Sequence, residues 1–183
     1  FKEFLHFKKA GIRLPDKYSW QLYNKAWYNR CKEYYDEYIQ YGGFPEVVLQ
    51  PNKKDKEELL KDIINSYIEL DVKLIADYTA SEDLYKLVKL LAARAGNKID
   101  YTKLSSIAGI NRQKMAGYIQ LLQYTYLVYL VKPFTRNIDK EISQQPKLYF
   151  ADTGILNMLA GLQISSGQLF ENSIAVQLHP LGE

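Results

Sequence analysis

Apolar residues recur at helical spacing along most of this chain, which predicts a mainly α fold with a small β component. From about Trp20 to Gln40, Trp27, Cys31, Tyr34 and Tyr38 stand at offsets of 4, 7 and 11 and form one helical stripe. Tyr41-Gly42-Gly43-Phe44-Pro45 breaks that stripe. Paired glycines give the backbone unusual freedom and the proline restricts Phe44, so a turn or domain junction is expected there. A second helix is predicted from about Lys54 to Tyr78, with Leu60, Ile63, Ile64, Tyr67, Ile68, Leu74 and Ile75 on one face. Ser81, followed by acidic Glu82 and Asp83, is the expected cap of a third helix carrying Leu84, Leu87, Val88, Leu91 and Ala92 inward. Gly96-Asn97 ends it.

The next segment changes character. Asp100 is placed to cap a short helix containing Leu104, Ile107 and Ala108; Gly109-Ile110-Asn111 forms a tight turn; and a helix from Arg112 to about Tyr124 holds Met115, Ile119 and Leu122 inward. That order is a helix-turn-helix. Leu127 to Val131 then reads as a strand stopped by Pro133, Thr135 to Pro146 as a polar loop, and Lys147-Leu148-Tyr149-Phe150 as a second strand. Together they predict a winged helix at the centre of the chain. A helix near Ile155 to Leu159, a break at Gly161 and a final helical pattern from Leu169 to Leu178 complete the chain. The expected division is residues 1–50, 51–150 and 151–183.

Composition excludes several classes. With 183 residues, 47% hydrophobic and 25% charged, the chain is long enough and apolar enough to bury a core. Cys31 is the single cysteine, so no internal disulfide forms and one thiol cannot hold zinc or an iron-sulfur cluster; a reducing, cytoplasmic compartment is the expectation. No apolar run approaches the roughly 20 residues of a membrane span, so a soluble protein is expected. The first residue is Phe1, and the last apolar pattern has only just begun when the sequence stops, which reads as a piece of a longer chain.

A net charge of +3 does not by itself declare a polyanion partner, so local clustering decides. Between Asn97 and Lys114 stand Lys98, Lys103, Arg112 and Lys114 against Asp100 alone. Asn111 is a favourable N-cap, and Arg112, Gln113 and Lys114 occupy the first turn of the recognition helix, where side chains and free backbone N–H groups meet phosphates and base edges. The amides of Asn111 and Gln113 offer the donor and acceptor that an adenine edge requires. Lys132, Arg136 and Lys140 add charge after the first strand, offset by Asp139 and Glu141. The expected partner is double-stranded DNA, contacted by Lys103, Asn111, Arg112, Gln113, Lys114, Lys132 and Arg136.

Catalytic motifs are missing. No glycine precedes Lys-Ser or Lys-Thr, so no Walker A loop cradles a phosphate, and no Gly-x-Gly-x-x-Gly follows a strand. His6 and His179 have no partner pattern for a metal or a nucleophilic triad. Asp71-Val72-Lys73 has the spacing of a nuclease acid-x-Lys element but falls on a periodic helix, where it reads as surface charge.

Five motifs carry a resemblance. Tyr41-Gly42-Gly43-Phe44-Pro45-Glu46-Val47-Val48, Phe1-Lys2-Glu3-Phe4-Leu5, Tyr118-Ile119-x-x-Leu122 with Val131-x-Pro133-Phe134, Lys147-x-Tyr149-Phe150-x-Asp152-Thr153-Gly154, and Gly167-x-Leu169-x-Glu171-Asn172 resemble a large bacterial and archaeal family of predicted AAA+ type ATPases with a C-terminal domain of unknown function. The resemblance implies a parent whose P-loop domain lies upstream, so ATP and Mg are expected only there and this chain itself carries no cofactor. It implies that the first 45 residues are the tail and lid of that ATPase. It also implies that the segment after the winged helix begins a restriction-endonuclease-like α/β unit. There Glu171 matches a helix glutamate, and later strands would supply Asp and Glu-x-Lys for a metal. One carboxylate does not assemble such a site, so no catalysis is expected from this chain. The leading expectation is a DNA-binding module of the parent ATPase, with nucleotide state coupled to DNA grip. The alternative is a protein-interaction or oligomerisation module that uses the tyrosine-rich helix from Trp27 to Tyr38.

Overall fold

A computed structural model describes residues 1–14, 24–72 and 80–179. They form, in order, α1 (Lys2–Phe7), α2 (Lys25–Tyr41), α3 (Pro45–Leu49), α4 (Lys53–Ser66) running into a π-helical turn (Tyr67–Val72), α5 (Ala80–Ala92), α6 (Tyr101–Ala108), α7 (Arg112–Tyr124), β1 (Val128–Val131), α8 (Ile138–Ser143), β2 (Lys147–Phe150), α9 (Thr153–Ala160), a short 3-10 turn (Gly161–Gln163) and α10 (Ser166–Leu178). The fold is mainly helical with one two-stranded antiparallel sheet. Pro15, Trp20, the predicted end of the second helix at Leu74, Ile75 and Tyr78, and the acid-x-Lys element ending at Lys73 lie outside the described residues, as do the side chains of Ser81 and Lys140.

Several boundaries differ from the sequence expectation, and Ser81, the expected cap of the third helix, lies inside α5, which begins at Ala80. The first long helix starts at Lys25 because Asn24 is extended and its side-chain oxygen accepts the free N–H groups of Ala26 (2.8 Å) and Trp27 (3.4 Å). The second leaves α geometry at Tyr67 for the wider π turn. The stretch expected to be a polar loop contains α8, whose start is held by Asn137 Oδ1 accepting from the Asp139 N–H at 2.9 Å.

Two glycine motifs far apart in sequence interlock. At the end of α2, Gly42 takes φ +77°, open to glycine, and Asp152 Oδ2 accepts the Gly43 N–H at 2.8 Å. Asp152 also caps α9, its Oδ1 accepting the Ile155 N–H at 2.9 Å. The Thr153 hydroxyl donates to the Tyr38 carbonyl (2.9 Å) and the Asn157 amide to the Gln40 carbonyl (3.1 Å). A Cβ on Gly154 would stand 2.2 Å from the Tyr41 carbonyl oxygen, and one on Gly42 would stand 2.1 Å from the Asp152 carboxylate. Burial pushes the Asp152 carboxyl above the ordinary carboxylate range, against the pull of the Gly43, Ile155 and Gly154 N–H groups.

The sheet pairs Val128 with Phe150 and Val131 with Lys147. On its other edge β2 exchanges backbone bonds with the turn after α5, Gly96 N–H to Leu148 O and Leu148 N–H to Asn97 O. At the end of the strand the buried Asn172 side chain of α10 replaces a neighbouring strand, accepting from Phe150 N–H and donating to Phe150 O, both at 2.9 Å. Buried side chains from Tyr41 to Leu169, including Leu60, Leu87, Leu91, Met115, Ile119, Leu148 and Phe150, make one continuous core. A smaller cluster of Phe4, Leu5, Tyr38 and Val48 seats α1 on α2 and α3. Beside it the buried Lys56 ammonium donates to the Val47 carbonyl (2.6 Å) at the end of α3 and pairs with Glu37 (3.1 Å). Burial lowers its pKa and the Glu37 carboxylate opposes that.

Gly154→Ala therefore forces α9 away from the end of α2, with an expected loss of about 3 kcal/mol in urea unfolding. The control is Gly117→Ala, inside α7 with nothing within 4 Å of the added methyl, which should gain about 0.5–1 kcal/mol.

Candidate nucleic-acid interface

The α6–α7 pair is built by local capping. Asp100 is extended and its side chain accepts the Lys103 N–H at 3.0 Å, which starts α6. Gly109, at φ +66°, ends that helix in the left-handed region, and Ile110 donates back to Ser105 O at 3.1 Å. Asn111 then opens α7, its side-chain oxygen accepting the Gln113 N–H at 2.8 Å. Asn111 is thus engaged as a cap through its amide oxygen, while its side chain stays exposed. Met115, Tyr118, Ile119 and Leu122 are buried, which fixes the opposite face of α7 and leaves Arg112, Gln113 and Lys114 exposed at its first turn.

These side chains differ in what engages them. The Lys114 ammonium bonds Asp83 Oδ2 at 2.8 Å and stands 5.5 Å from the centre of the Tyr118 ring. Lys98, Lys103, Lys132 and Arg136 are exposed. The Asp139 side chain is exposed after Arg136, and Glu141 is half-buried. The partner role of Asp83 is what sequence reasoning missed, having read that residue only as an acid at the start of its own helix. Asp83 lies 31 residues before Lys114, so no spacing rule links them; only the packing of α5 against α6 and of α6 against α7 brings the acid to the base.

Glu171 belongs to a second cluster, past the first turn of α10. Its Oε1 accepts from Lys147 Nζ at 2.8 Å and from the Tyr149 hydroxyl at 2.7 Å, so it fastens α10 to β2. Both bonds hold its carboxyl below the ordinary carboxylate range. Among the described residues, no three His, Cys, Asp or Glu side chains are grouped to hold a metal ion. Beside this cluster a largely apolar groove of about 740 Å³ runs between the outer face of β1 and α10, lined by Tyr129, Val131, Phe170, Ile174 and Leu178 among others. His179 lies on the Tyr129 ring at 4.4 Å, whereas His6 sits in the last turn of α1. Cys31 is buried on α2, where burial pushes its thiol pKa up. No helix among the described residues is long and apolar enough to cross a membrane.

A family model described as Domain of unknown function (DUF8612) matches residues 32–166, most of the chain and all of the α6–α7 unit. The chain belongs to this family. Among its relatives, the uncharacterized protein MJ1544 of Methanocaldococcus jannaschii is 28% identical over the whole of this chain and 40% of its own length. An uncharacterized protein of Haemophilus influenzae is 26% identical over 97% of this chain and 42% of its own length. The uncharacterized protein Rv2008c of Mycobacterium tuberculosis is 22% identical over 66% of this chain and 27% of its own length. The chain thus spans about two-fifths of the length of the first two relatives. No solved structure matches.

Because Glu171 has a depressed pKa in the folded state, its bonds stabilise the fold above the ordinary carboxylate pKa, and that contribution is lost as pH falls through the folded value. Glu171→Gln should therefore lose less melting temperature than the native protein between about pH 5 and pH 3. The difference at neutral pH should stay below about 1 kcal/mol, since the pair is half exposed. Thermal melts across that range measure it.

Proposed function

We propose that this chain is the DNA-gripping module of a longer, nucleotide-driven protein. In this reading α6 and α7 are a helix-turn-helix, with α7 the helix that enters a major groove, and β1 and β2 are its wing. The observation that carries it is the first turn of α7. There a capped helix N-terminus, which favours anions, coincides with exposed Arg112 and Gln113 while the reverse face is locked in the core. Lys103 on α6, with Lys132 and Arg136 after β1, supplies further phosphate contacts, and Gln113 is the side chain free to read a base edge.

The relatives' greater length supports a parent with further domains. An upstream AAA+ type domain would bring ATP and Mg, and the segment after β2 would open a restriction-endonuclease-like unit. In that scheme this chain performs no catalysis of its own and transmits nucleotide state to DNA.

A second reading, a protein-interaction or oligomerisation module, draws support from a different surface than the sequence suggested. Tyr38 on α2 is buried and Tyr34 and Tyr35 are half-buried, so much of that helix's aromatic face packs internally, with Tyr28 left 45% exposed. An open apolar surface lies on α10, where Phe170, Ile174 and Leu178 are 51%, 39% and 58% exposed along the groove.

Fluorescence anisotropy of a labelled duplex separates the two readings. The native chain should bind at about 10⁻⁴–10⁻⁶ M, more weakly as salt rises, and Lys103→Ala/Arg112→Ala should weaken binding and lower the salt slope by about 0.9 for each lost phosphate contact. Absence of binding at low salt by folded protein removes the DNA reading and leaves the α10 groove as the interaction surface.

A further inference from the structure

Lys114 is placed where a DNA-binding helix uses a cation, in the first turn of α7, yet its ammonium is already held 2.8 Å from Asp83 Oδ2. Asp83 lies in the first turn of α5, next to Glu82, and Glu82 pairs with Lys86 at 2.8 Å on its own helix. The two acids therefore have different work. Glu82 closes an ordinary pair one turn along α5, whereas Asp83 reaches across to another helix. Both members of the Asp83–Lys114 pair are at the surface, with side chains 36% and 43% exposed, so solvent and an incoming phosphate have access to them. The Tyr118 ring, 5.5 Å from the ammonium, gives Lys114 a second attachment on its own helix.

Such a pair acts on DNA in two ways. It occupies the ammonium that would otherwise neutralise a phosphate, and it sets a carboxylate beside that ammonium, where an approaching phosphate meets like charge. An ion pair this open to solvent adds little to stability, so removing its acid need not unfold the protein. A phosphate contact, by contrast, adds a counterion-release term visible in the salt dependence.

Resting on the DNA-binding reading of α7, we propose that Asp83 restrains that grip, holding Lys114 on α5 and out of the phosphate contact set. The native interface then uses Arg112 and Lys103 but not Lys114, and its affinity is set below what the charges on α7 would give.

The test is a double-mutant cycle on the same labelled duplex, with native protein, Asp83→Asn, Lys114→Ala, the double variant and Arg112→Ala, each titrated at several salt concentrations and checked for folding by circular dichroism and thermal unfolding. Asp83→Asn should bind about threefold to tenfold more tightly near 0.1 M salt and steepen the slope of log K against log salt by about 0.9, one released lysine's worth. Lys114→Ala alone should leave the native slope unchanged, and the double variant should return the slope to the native value. A slope reduced by Lys114→Ala in the native background would overturn the proposal, because Lys114 would already be gripping a phosphate. So would an Asp83→Asn protein with the native slope, whether or not its affinity rises. If native protein binds and Arg112→Ala weakens it, these outcomes bear on Asp83 alone. If no folded variant binds at low salt, the DNA reading itself falls and this inference falls with it.

Discussion

The Asp152 carboxylate is the group on which the rest of the arrangement depends. One side chain caps α9 and holds the Gly43 N–H, so it fixes where the end of α2 lies on the helix that follows the sheet. Close contact is possible there only because Gly42 and Gly154 lack side chains. Burial makes the charged carboxylate costly, and three backbone N–H groups offset the cost. A side chain at either glycine would separate α2 from α9, which also packs against α4, α5, α10 and β2. The Gly-Gly and Asp-Thr-Gly motifs, which in sequence read as breaks, are two halves of one joint.

From that joint the α10 docking follows by the same logic of satisfying backbone groups. β2 has neighbours on both edges, but beyond the turn at residues 96–97 the Phe150 peptide groups face a helix, and Asn172 supplies the donor and acceptor that a strand would have given. Glu171, one residue earlier, ties Lys147 and Tyr149 to the same helix. Adjacent residues of α10 thus anchor the two ends of a four-residue strand. Glu171, which by its motif alone could suggest part of a metal site, has its bonding used in holding secondary structure together. Tyr35 joins in from the other side through its hydroxyl and Ser173 Oγ, 2.6 Å apart, linking α2 to α10.

Charge is arranged with comparable economy at α7. The helix turns its apolar face inward, and its polar first turn is what remains for solvent or a ligand. Within that turn the three adjacent polar side chains are not equivalent. Arg112 and Gln113 project from a capped terminus, whereas Lys114 is paired to α5. Counting basic residues along the sequence treats them alike; only the pairing separates them.

How much of this was legible in the residues depends on the range of the interaction involved. The strand Lys147–Phe150, the α7 bounds, and the caps at Asp100 and Asn111 were readable because periodicity and capping act between residues at most a few positions apart. The helix Ile138–Ser143 was missed because it is one short run in a polar segment, without an apolar stripe to announce it. Asn24 was missed as a start signal because it falls inside the span, from about Trp20, expected to be helical. The sequence by itself determined a mainly helical chain, the succession of α6, its Gly109 turn and α7, and the apolar sides of its long helices, since each follows from local backbone bonding and hydrophobic period. Tertiary structure alone decided that Gly43 meets Asp152 across 109 residues, that Asn172 closes the edge of β2, and that Asp83 holds Lys114. Those contacts arise from how separate elements pack, and no local rule connects residues so far apart along the chain.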